Sequence, residues 1–362
     1  MMKFKSILAG LLLFVLPLSV FAQKGESSSS FKLTKKGVVK STVLADSTVQ
    51  ELNVLKPIAI FKGKYELDTE NGDSYFTVKS ARLGVQGDVS KKISYKFMVD
   101  FSDEGTVRVL DLYFVFKPFN RFSFTLGQSS LPLFNGYTAS PNLLEFSNRP
   151  FISKYFNSSR DIGLTAAYAI KQNGFPIVLE AGIYNGDGIN NPKWTSTPSL
   201  AGRLSFGSMK GFRATAKVYQ TRIDATEDNF IWAADLRYAN SAFTFESEFM
   251  NKKNHGEMAT NTQALSSIYC QTLYKFPVKS NVFKYLQPAL RWDGMGYDLL
   301  NRGLGVNRAT VGVNIGLNSD AFSSLFRLNY EHYFNNSMDM SALFKNDYYN
   351  DNKFSVEFLF VF

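Results

Sequence analysis

Apolar and polar residues alternate along most of this chain, in segments of about eight to eleven residues separated by clusters of Gly, Asn, Asp, Ser and Pro. The clearest segment runs from Ile93 to Phe101, where the odd-numbered positions are apolar and most of the intervening ones are polar. A helix would require apolar residues at a spacing near 3.6, which these segments lack. A period of two predicts β-strands with one apolar and one polar face.

The number of these segments indicates how the strands are arranged. The alternation recurs in segments beginning at Ala81, Phe212, Ala309 and Phe326, and roughly sixteen segments can be counted from residue 57 to the end. An even number near sixteen is the size at which a transmembrane β-barrel encloses an aqueous channel. A large soluble β-sandwich also has alternating strands, so it stays open as the alternative.

Two features favour the barrel. The chain ends on alternating apolar residues up to Phe362, and such an exposed aromatic edge would make a soluble domain aggregate. Many charged residues lie on the polar faces of the strands, where burial of each without a partner would cost several kcal/mol, so we expect a wet interior. These residues are Lys96, Asp100, Asp111, Lys117, Arg203, Arg213, Lys217, Asp235, Arg237, Glu246, Glu248, Arg291, Asp293 and Arg327.

The N-terminus predicts export. Lys3 and Lys5 precede an apolar run from Ile7 to Leu16, and a small-residue exit ends at Ala22. This order is typical of a signal peptide cleaved after residue 22, and the run is short for the alternative, a retained membrane anchor. We therefore predict a signal peptide over residues 1–22, a Ser- and Lys-rich periplasmic arm or irregular segment over 23–55, and a barrel over 56–362. The expected location is the outer membrane of a Gram-negative cell.

Composition agrees with a barrel that is apolar outside and polar inside. The chain has 34 Phe and 18 Tyr, yet its mean hydropathy is only −0.13 and charged residues make up 20%. After removal of the signal peptide, 38 basic and 31 acidic residues would leave a net charge of +7. The single Cys270 excludes an intramolecular disulfide and is interpreted as a packing residue.

Other classes of function have weak support. The only histidines are His255, in a polar segment, and His332, which shares the parity of apolar neighbours, so no catalytic arrangement is evident. Two distant His and one Cys give no zinc or copper spacing, and we expect neither a metal nor another cofactor. Export and the lack of a clustered basic segment argue against nucleic-acid binding. We therefore predict that the protein is not an enzyme.

Several motifs resemble one known family, the phosphate-selective porin O and P family. The similarity covers about residues 75–206, and beyond them only the strand pattern and the C-terminal Phe are informative. The motifs are Ala81-Arg82-Leu83-Gly84-Val85, Ile93-Ser94-Tyr95-Lys96-Phe97, Asp111-Leu112-Tyr113-Phe114, Leu126-Gly127-Gln128, Ser159-Arg160-Asp161-Ile162-Gly163 and Gly182-Ile183-Tyr184-Asn185-Gly186-Asp187-Gly188.

The resemblance implies an all-β, 16-stranded antiparallel transmembrane barrel, a homotrimer, and a loop folded into the lumen. The segment 129–159 is the longest interruption of the strand pattern and the best candidate for that loop; the alternative is an external loop. Its cations are Arg149 and Lys154, with Arg160 at its end. The basic residues expected to line the pore are Arg82, Lys96, Lys117, Arg203, Arg213, Lys217 and Arg237.

The expected function is passive diffusion of small hydrophilic solutes, with a preference for anions and phosphate or polyphosphate as possible substrates. Arg and Lys lower the energy of an anion in a narrow constriction, although each could instead pair with an acid on a neighbouring strand. Acidic residues share the same faces, which weakens the case for phosphate specificity. Expected partners are these solutes, outer-membrane lipid, two further copies of the chain, and the outer-membrane assembly machinery, which would recognise Phe362. The runner-up is a non-channel barrel that acts through surface loops as an adhesin or structural protein.

Overall fold

The computed structural model describes residues 30–33, 38–45, 48–103, 106–135, 140–172, 175–224, 226–259, 263–317, 323–334 and 351–362. These residues are almost entirely β-strand. The strands are β1 (Ser30–Leu33), β2 (Val39–Ala45), β3 (Thr48–Asp68), β4 (Ser74–Ser90), β5 (Ile93–Asp103), β6 (Thr106–Phe116), β7 (Phe122–Ser130), β8 (Arg160–Gln172), β9 (Phe175–Tyr184), β10 (Ser199–Gly207), β11 (Gly211–Arg222), β12 (Asp228–Ala239), β13 (Phe243–Asn254), β14 (Leu265–Tyr274), β15 (Phe276–Pro277), β16 (Phe283–Tyr297), β17 (Val306–Leu317), β18 (Ser323–Phe334) and β19 (Lys353–Val361). Two short helices are α1 (Ile152–Tyr155) and α2 (Leu299–Arg302).

Sixteen of the strands close into one antiparallel barrel. Each strand from β3 to β19 pairs with its neighbour in sequence, and β15 only prolongs the edge of β14 along β16. The barrel closes where β19 pairs with β3, from Val361 opposite Ile60 to Lys353 opposite Asp68. The predicted antiparallel barrel of about sixteen strands is therefore confirmed.

The first strands lie outside this barrel. β1 pairs with β2, and β2 pairs with the first part of β3, whereas the pairing of β3 with β4 begins at Lys56 opposite Gln86. Most of the described residues of the range 23–55 thus form strands. The assignment of this range to the periplasm remains a prediction, and residues 1–22 lie outside the described residues.

The strands alternate between the two barrel faces as the pattern predicts. On β12, the apolar side chains of Phe230, Trp232 and Leu236 are exposed on the outside, whereas Ile231 and Asp235 are buried inside. A closed barrel satisfies every inter-strand backbone hydrogen bond, which is the condition for crossing a bilayer with strands. The exposed apolar outer face is the surface that lipid would cover.

No helix in the described part of the chain has the length and apolar character needed to span a membrane.

The longest connection folds back into the barrel. It joins β7 to β8 and is called here the inward loop, residues 131–159, of which 136–139 are outside the described residues. Its side chains Leu133, Phe151 and Phe156 are buried against the lumen-facing residues Tyr269 and Met295. The apolar core of the protein therefore lies inside the barrel, between the loop and the wall, and the predicted inward-folded loop is confirmed.

Candidate functional site

The inward loop divides the lumen into two parts. On one side it lies against the inner faces of β11–β14 and β16, which we call the covered wall. On the other side it leaves a cavity of about 790 Å³, lined by the loop, by β3–β6 and by the loop-side ends of β17–β19. We call this cavity the basic passage.

The charges that line the basic passage are strongly unequal. Nine of its lining residues are Lys or Arg and three are Asp or Glu. The basic residues are Lys62, Lys64, Lys79, Arg82, Arg108, Arg149, Lys154, Arg308 and Lys353, and the acidic ones are Glu66, Asp100 and Glu331. Because each acid can neutralise only one cation, a positive excess remains.

Arg82 lies on β4 in the middle of this lining. Its Nε donates to Asp100 Oδ2 at 2.8 Å, and its side chain is only 8% exposed. Its Nη1 is buried and has no hydrogen-bond partner among the described residues. Buried donors are nearly always hydrogen-bonded, so this N–H is an unusual donor beside the passage.

Two lysines of β3 connect the passage to the loop. Lys62 Nζ lies 2.5 Å from Glu357 Oε2 and donates to the carbonyl oxygen of Ser147 at 2.9 Å. Lys64 Nζ lies 2.7 Å from Glu66 Oε2 and donates to Asn148 Oδ1 at 2.8 Å. These lysines therefore hold the loop and contribute to the charge of the passage at the same time.

The loop adds cations of its own, Arg149 and Lys154, to the passage. Lys154, in α1, is enclosed by the barrel but accessible from the passage. Burial, reinforced by the nearby cations Arg308, Lys79 and Lys353, lowers the pKa of Lys154 to about 8. The charge of this part of the passage therefore falls as the pH rises through that value.

Three of the predicted pore-lining residues lie instead beneath the loop, on the covered wall. Arg213 lies 3.0 Å from Asp235, and Lys217 lies 2.8 Å from Asp235 and 2.5 Å from Glu248. Arg237 pairs with Glu246. This corrects the expected basic wall at these positions: the loop covers them, and pairing across strands neutralises them.

Other predicted cations are also paired or lie outside the passage. Lys96 and Arg160 both lie 2.7 Å from Asp111, and Arg203 pairs with Glu180. Lys117 follows the end of β6 and is exposed in the turn to β7. This corrects its expected place on the pore wall, because the strand ends one residue earlier, at Phe116.

The prediction of a wet interior also needs correction at the covered wall. Arg291, Asp293 and Glu246 are at most 1% exposed. The wet interior was predicted because burial of so many unpaired charges would cost too much free energy. That prediction did not take pairing between the charges into account. The structure places acids and bases opposite each other, so they neutralise one another beneath the loop.

Sequence analysis missed six of the cations of the basic passage: Lys62, Lys64, Lys79, Arg108, Arg308 and Lys353. A signal for the first two was present, since Lys62, Lys64 and Glu66 occupy alternate positions and face the lumen together. The apolar half of that pattern is weak, because Gly63 interrupts it and the register with β4 shifts between Lys62 and Gly63. Lys353 follows a long connection, where a strand boundary is hard to place.

The remaining sequence candidates lie away from the passage. His255 is exposed in the loop after β13, and His332 is exposed on the outer face of β18. The described residues contain no group of three or more His, Cys, Asp or Glu that could hold a metal ion. Phe362 is 39% exposed, and its backbone N–H donates to the carbonyl oxygen of Ala59 at 2.9 Å at the barrel seam.

Comparisons with solved structures define the class of protein. OmpF of Salmonella typhi in complex with daunomycin is 13% identical, with a TM-score of 0.60, over 85% of this chain and 97% of that one. The trimer form of OmpT of Vibrio cholerae is 13% identical, with a TM-score of 0.57, over 85% and 99%. An anion-selective porin from Comamonas acidovorans is 10% identical, with a TM-score of 0.53, over 85% and 98%. At these identities the likeness is one of fold: a porin-type outer-membrane barrel.

The sequence matches one family in part. Residues 58–231 match the model described as phosphate-selective porin O and P, so this part of the chain is similar to that family. No curated protein matches the chain in sequence. This match and the barrel fold together make the protein an outer-membrane channel.

Proposed function

We propose that this porin admits solutes passively through the basic passage and prefers anions, inorganic phosphate among them. The observation that carries the proposal is the nine Lys and Arg against three Asp and Glu around the cavity. Fixed positive charges in a narrow opening lower the energy of an entering anion and raise that of a cation. The passage needs no energy source for this preference.

The acids of the passage do not cancel this effect. Glu66 lies 2.7 Å from Lys64, Asp100 lies 2.8 Å from Arg82, and Glu331 lies 3.1 Å from Arg308. Each is thus already bound to a cation of the same lining. Lys62 and Arg308 also contact Glu357 and Asp293, which lie outside the lining. With these two acids included, the basic side chains still outnumber the acidic ones by nine to five, which supports a net attraction for anions along the passage.

Phosphate is favoured among anions by the groups around Arg82. Its Nη1 donor, which has no partner among the described residues, and the hydroxyl group of Ser80 belong to the same lining. Guanidinium forks match the oxygens of phosphate, and hydroxyl groups donate to them as well. We propose transient binding of phosphate at this point, weak enough to permit release.

The proposal is tested by single-channel recording in planar bilayers under a KCl gradient, followed by addition of phosphate. We expect an anion-selective reversal potential and a chloride current that phosphate reduces. The matched control is Lys117→Gln, which removes a charge outside the passage and should leave both unchanged. A cation-selective or non-selective channel would overturn the anion preference, and absence of current from folded protein would remove the transport function.

We also propose that three copies of the chain assemble into a trimer. The support is the described trimer form of Vibrio cholerae OmpT, whose fold this chain shares. Chemical cross-linking of the detergent-extracted protein should give a band at three times the monomer mass, and a ladder that stops at the monomer would contradict the proposal.

Export and assembly complete the proposal. Residues 1–22 would be removed as a signal peptide, residues 23–55 would form a periplasmic arm, and Phe362 would be read by the assembly machinery. Mass spectrometry of the outer-membrane protein should give Gln23 as the first residue. Deletion of Phe362 should reduce the amount of folded barrel in the membrane, whereas Phe362→Tyr should largely preserve it.

We propose further that the channel performs no catalysis and carries no cofactor. In support, His332 points to the outer face and His255 lies in an exposed loop, so neither histidine contributes to the passage. Conductance of the purified protein should be the same before and after treatment with a metal chelator, and a loss of current after chelation would contradict this.

A further inference from the structure

One short segment of the inward loop, residues 144–149, is bound to the wall almost residue by residue. Wall side chains donate to five of its carbonyl oxygens. The donors and acceptors are Arg327 to Leu144, Asn314 to Glu145 at 2.9 Å, Lys62 to Ser147 at 2.9 Å, Arg291 to Asn148 at 2.9 Å, and Arg308 to Arg149 at 2.8 Å. We call these five side chains, together with Asn329, the clamp.

The clamp also binds backbone N–H groups and aromatic rings of the loop. Ser147 N–H donates to Asn329 Oδ1 at 2.7 Å. The guanidinium of Arg291 lies 4.6 Å from the ring centre of Phe146, and that of Arg308 lies 4.5 Å from the ring centre of Phe151. A segment without regular secondary structure needs such partners, because buried backbone groups left unpaired are costly. The clamp therefore specifies one position for this part of the loop.

The arginines of the clamp are engaged by carboxylates of the wall, and of the three only Arg308 also lines the basic passage. Arg327 pairs with Glu357, and Arg308 lies 2.6 Å from Asp293 and 3.1 Å from Glu331. Arg291 is 1% exposed. Buried carboxylates balance their charge, and each arginine also donates one hydrogen bond to a carbonyl oxygen of the loop. What they supply to the channel is a fixed backbone.

That backbone forms one side of the passage. Asn148 and Arg149 lie in the clamped segment and line the basic passage on its other side. We infer that the clamp side chains are positioning residues that set the bore of the channel by holding residues 144–149 against the wall. The inference rests on the channel function, not on the proposed preference for anions, because the bore limits any solute.

Asn314 and Asn329 allow a test that changes no charge. Asn314 is 2% and Asn329 1% exposed, and each binds the loop backbone through its amide. In Asn314→Ala/Asn329→Ala two loop hydrogen bonds are lost, so we expect single-channel traces with frequent transitions to a larger conductance. With each hydrogen bond contributing a factor of roughly five, the occupancy of that state should rise about 25-fold. The sign of the reversal potential should stay that of the wild type.

The matched control is Gln271→Ala, which removes a buried amide that donates to Glu246 instead of to the loop. Its traces should resemble those of the wild type. The single variants Asn314→Ala and Asn329→Ala should show the larger state at intermediate occupancy, and they guard against a folding defect in the double variant. Wild-type traces from the double variant would overturn the inference, whatever the selectivity of the channel. A change of selectivity alone, without the larger state, would overturn it as well.

Discussion

The basic passage and the covered wall contain the same kinds of residue in opposite circumstances. Lys79 and Arg82 of the passage lie where the loop leaves space, whereas Lys217 and Arg237 of the covered wall lie beneath the loop. The passage has three cations for each acid, while on the covered wall Lys217 contacts two carboxylates, Asp235 and Glu248. A lumen-facing cation thus serves ion selection only where the loop leaves it uncovered; elsewhere it holds the interior together.

The largest contrast between the two regions should be in stability. Lys217→Met removes the cation that two buried carboxylates share, and breaking a buried ion pair in this way costs about 3–5 kcal/mol. Lys79→Met, at an exposed position of the passage, should change the free energy of unfolding by less than about 1 kcal/mol. Urea unfolding in detergent, followed by tryptophan fluorescence, measures both. Equal losses of unfolding free energy in the two variants would contradict the assignment of Lys217 to a buried ion-pair network and of Lys79 to an open passage.

The second contrast should be in ion selectivity. Here a substitution in the basic passage should have the larger effect and one on the covered wall the smaller effect. One unit charge about 6 Å from a permeating ion changes its energy in water by roughly 0.7 kcal/mol, with opposite sign for an anion and a cation. Arg82→Gln should therefore lower the anion-to-cation permeability ratio by up to about ten-fold. Arg237→Gln, beneath the loop, should leave the ratio of folded channels nearly unchanged. Reversal potentials under a KCl gradient give both values, and a larger effect at Arg237 would contradict the assignment of the passage.

The smallest expected effect is a dependence on pH. The pKa of Lys154 is lowered to about 8 by burial and by neighbouring cations. A lysine loses its charge as the pH rises through its pKa, so anion preference should be full at pH 6 and decline between about pH 7 and 9. Because the side chain is accessible and screened by salt, we expect a decline of less than about two-fold. In Lys154→Arg, which keeps its charge over this range, the decline should be smaller than in the wild type; an equal decline would assign the effect to another group.

Much of the fold was readable from the chain. The alternation of strands such as Ile93–Phe101 gave the two faces, and the count of segments gave a closed barrel near sixteen strands. The length of the 129–159 interruption marked the loop. These features are local, because a period of two and a break in it depend on neighbouring residues alone.

The passage was much less predictable than the barrel. Arg82, Arg149 and Lys154 were predicted and do line it, but Arg213, Lys217 and Arg237 have the same parity and are covered. The odd or even position of a residue along a strand determines whether its side chain faces the lumen. It does not determine which part of the barrel wall the loop covers. That depends on contacts such as Ser147 with Asn329, which are 182 residues apart in sequence.

The sequence by itself therefore determined the class of protein: alternating strands, an aromatic outer face and charges on the inner face leave a membrane barrel as the physically reasonable solution. Only the tertiary structure decided which charges face solutes. The physical reason is that a charge acts on a permeating ion only where the ion can approach it and no carboxylate neutralises it. In this molecule the inward loop, held by side chains from four strands, determines which lumen-facing charges a solute can approach.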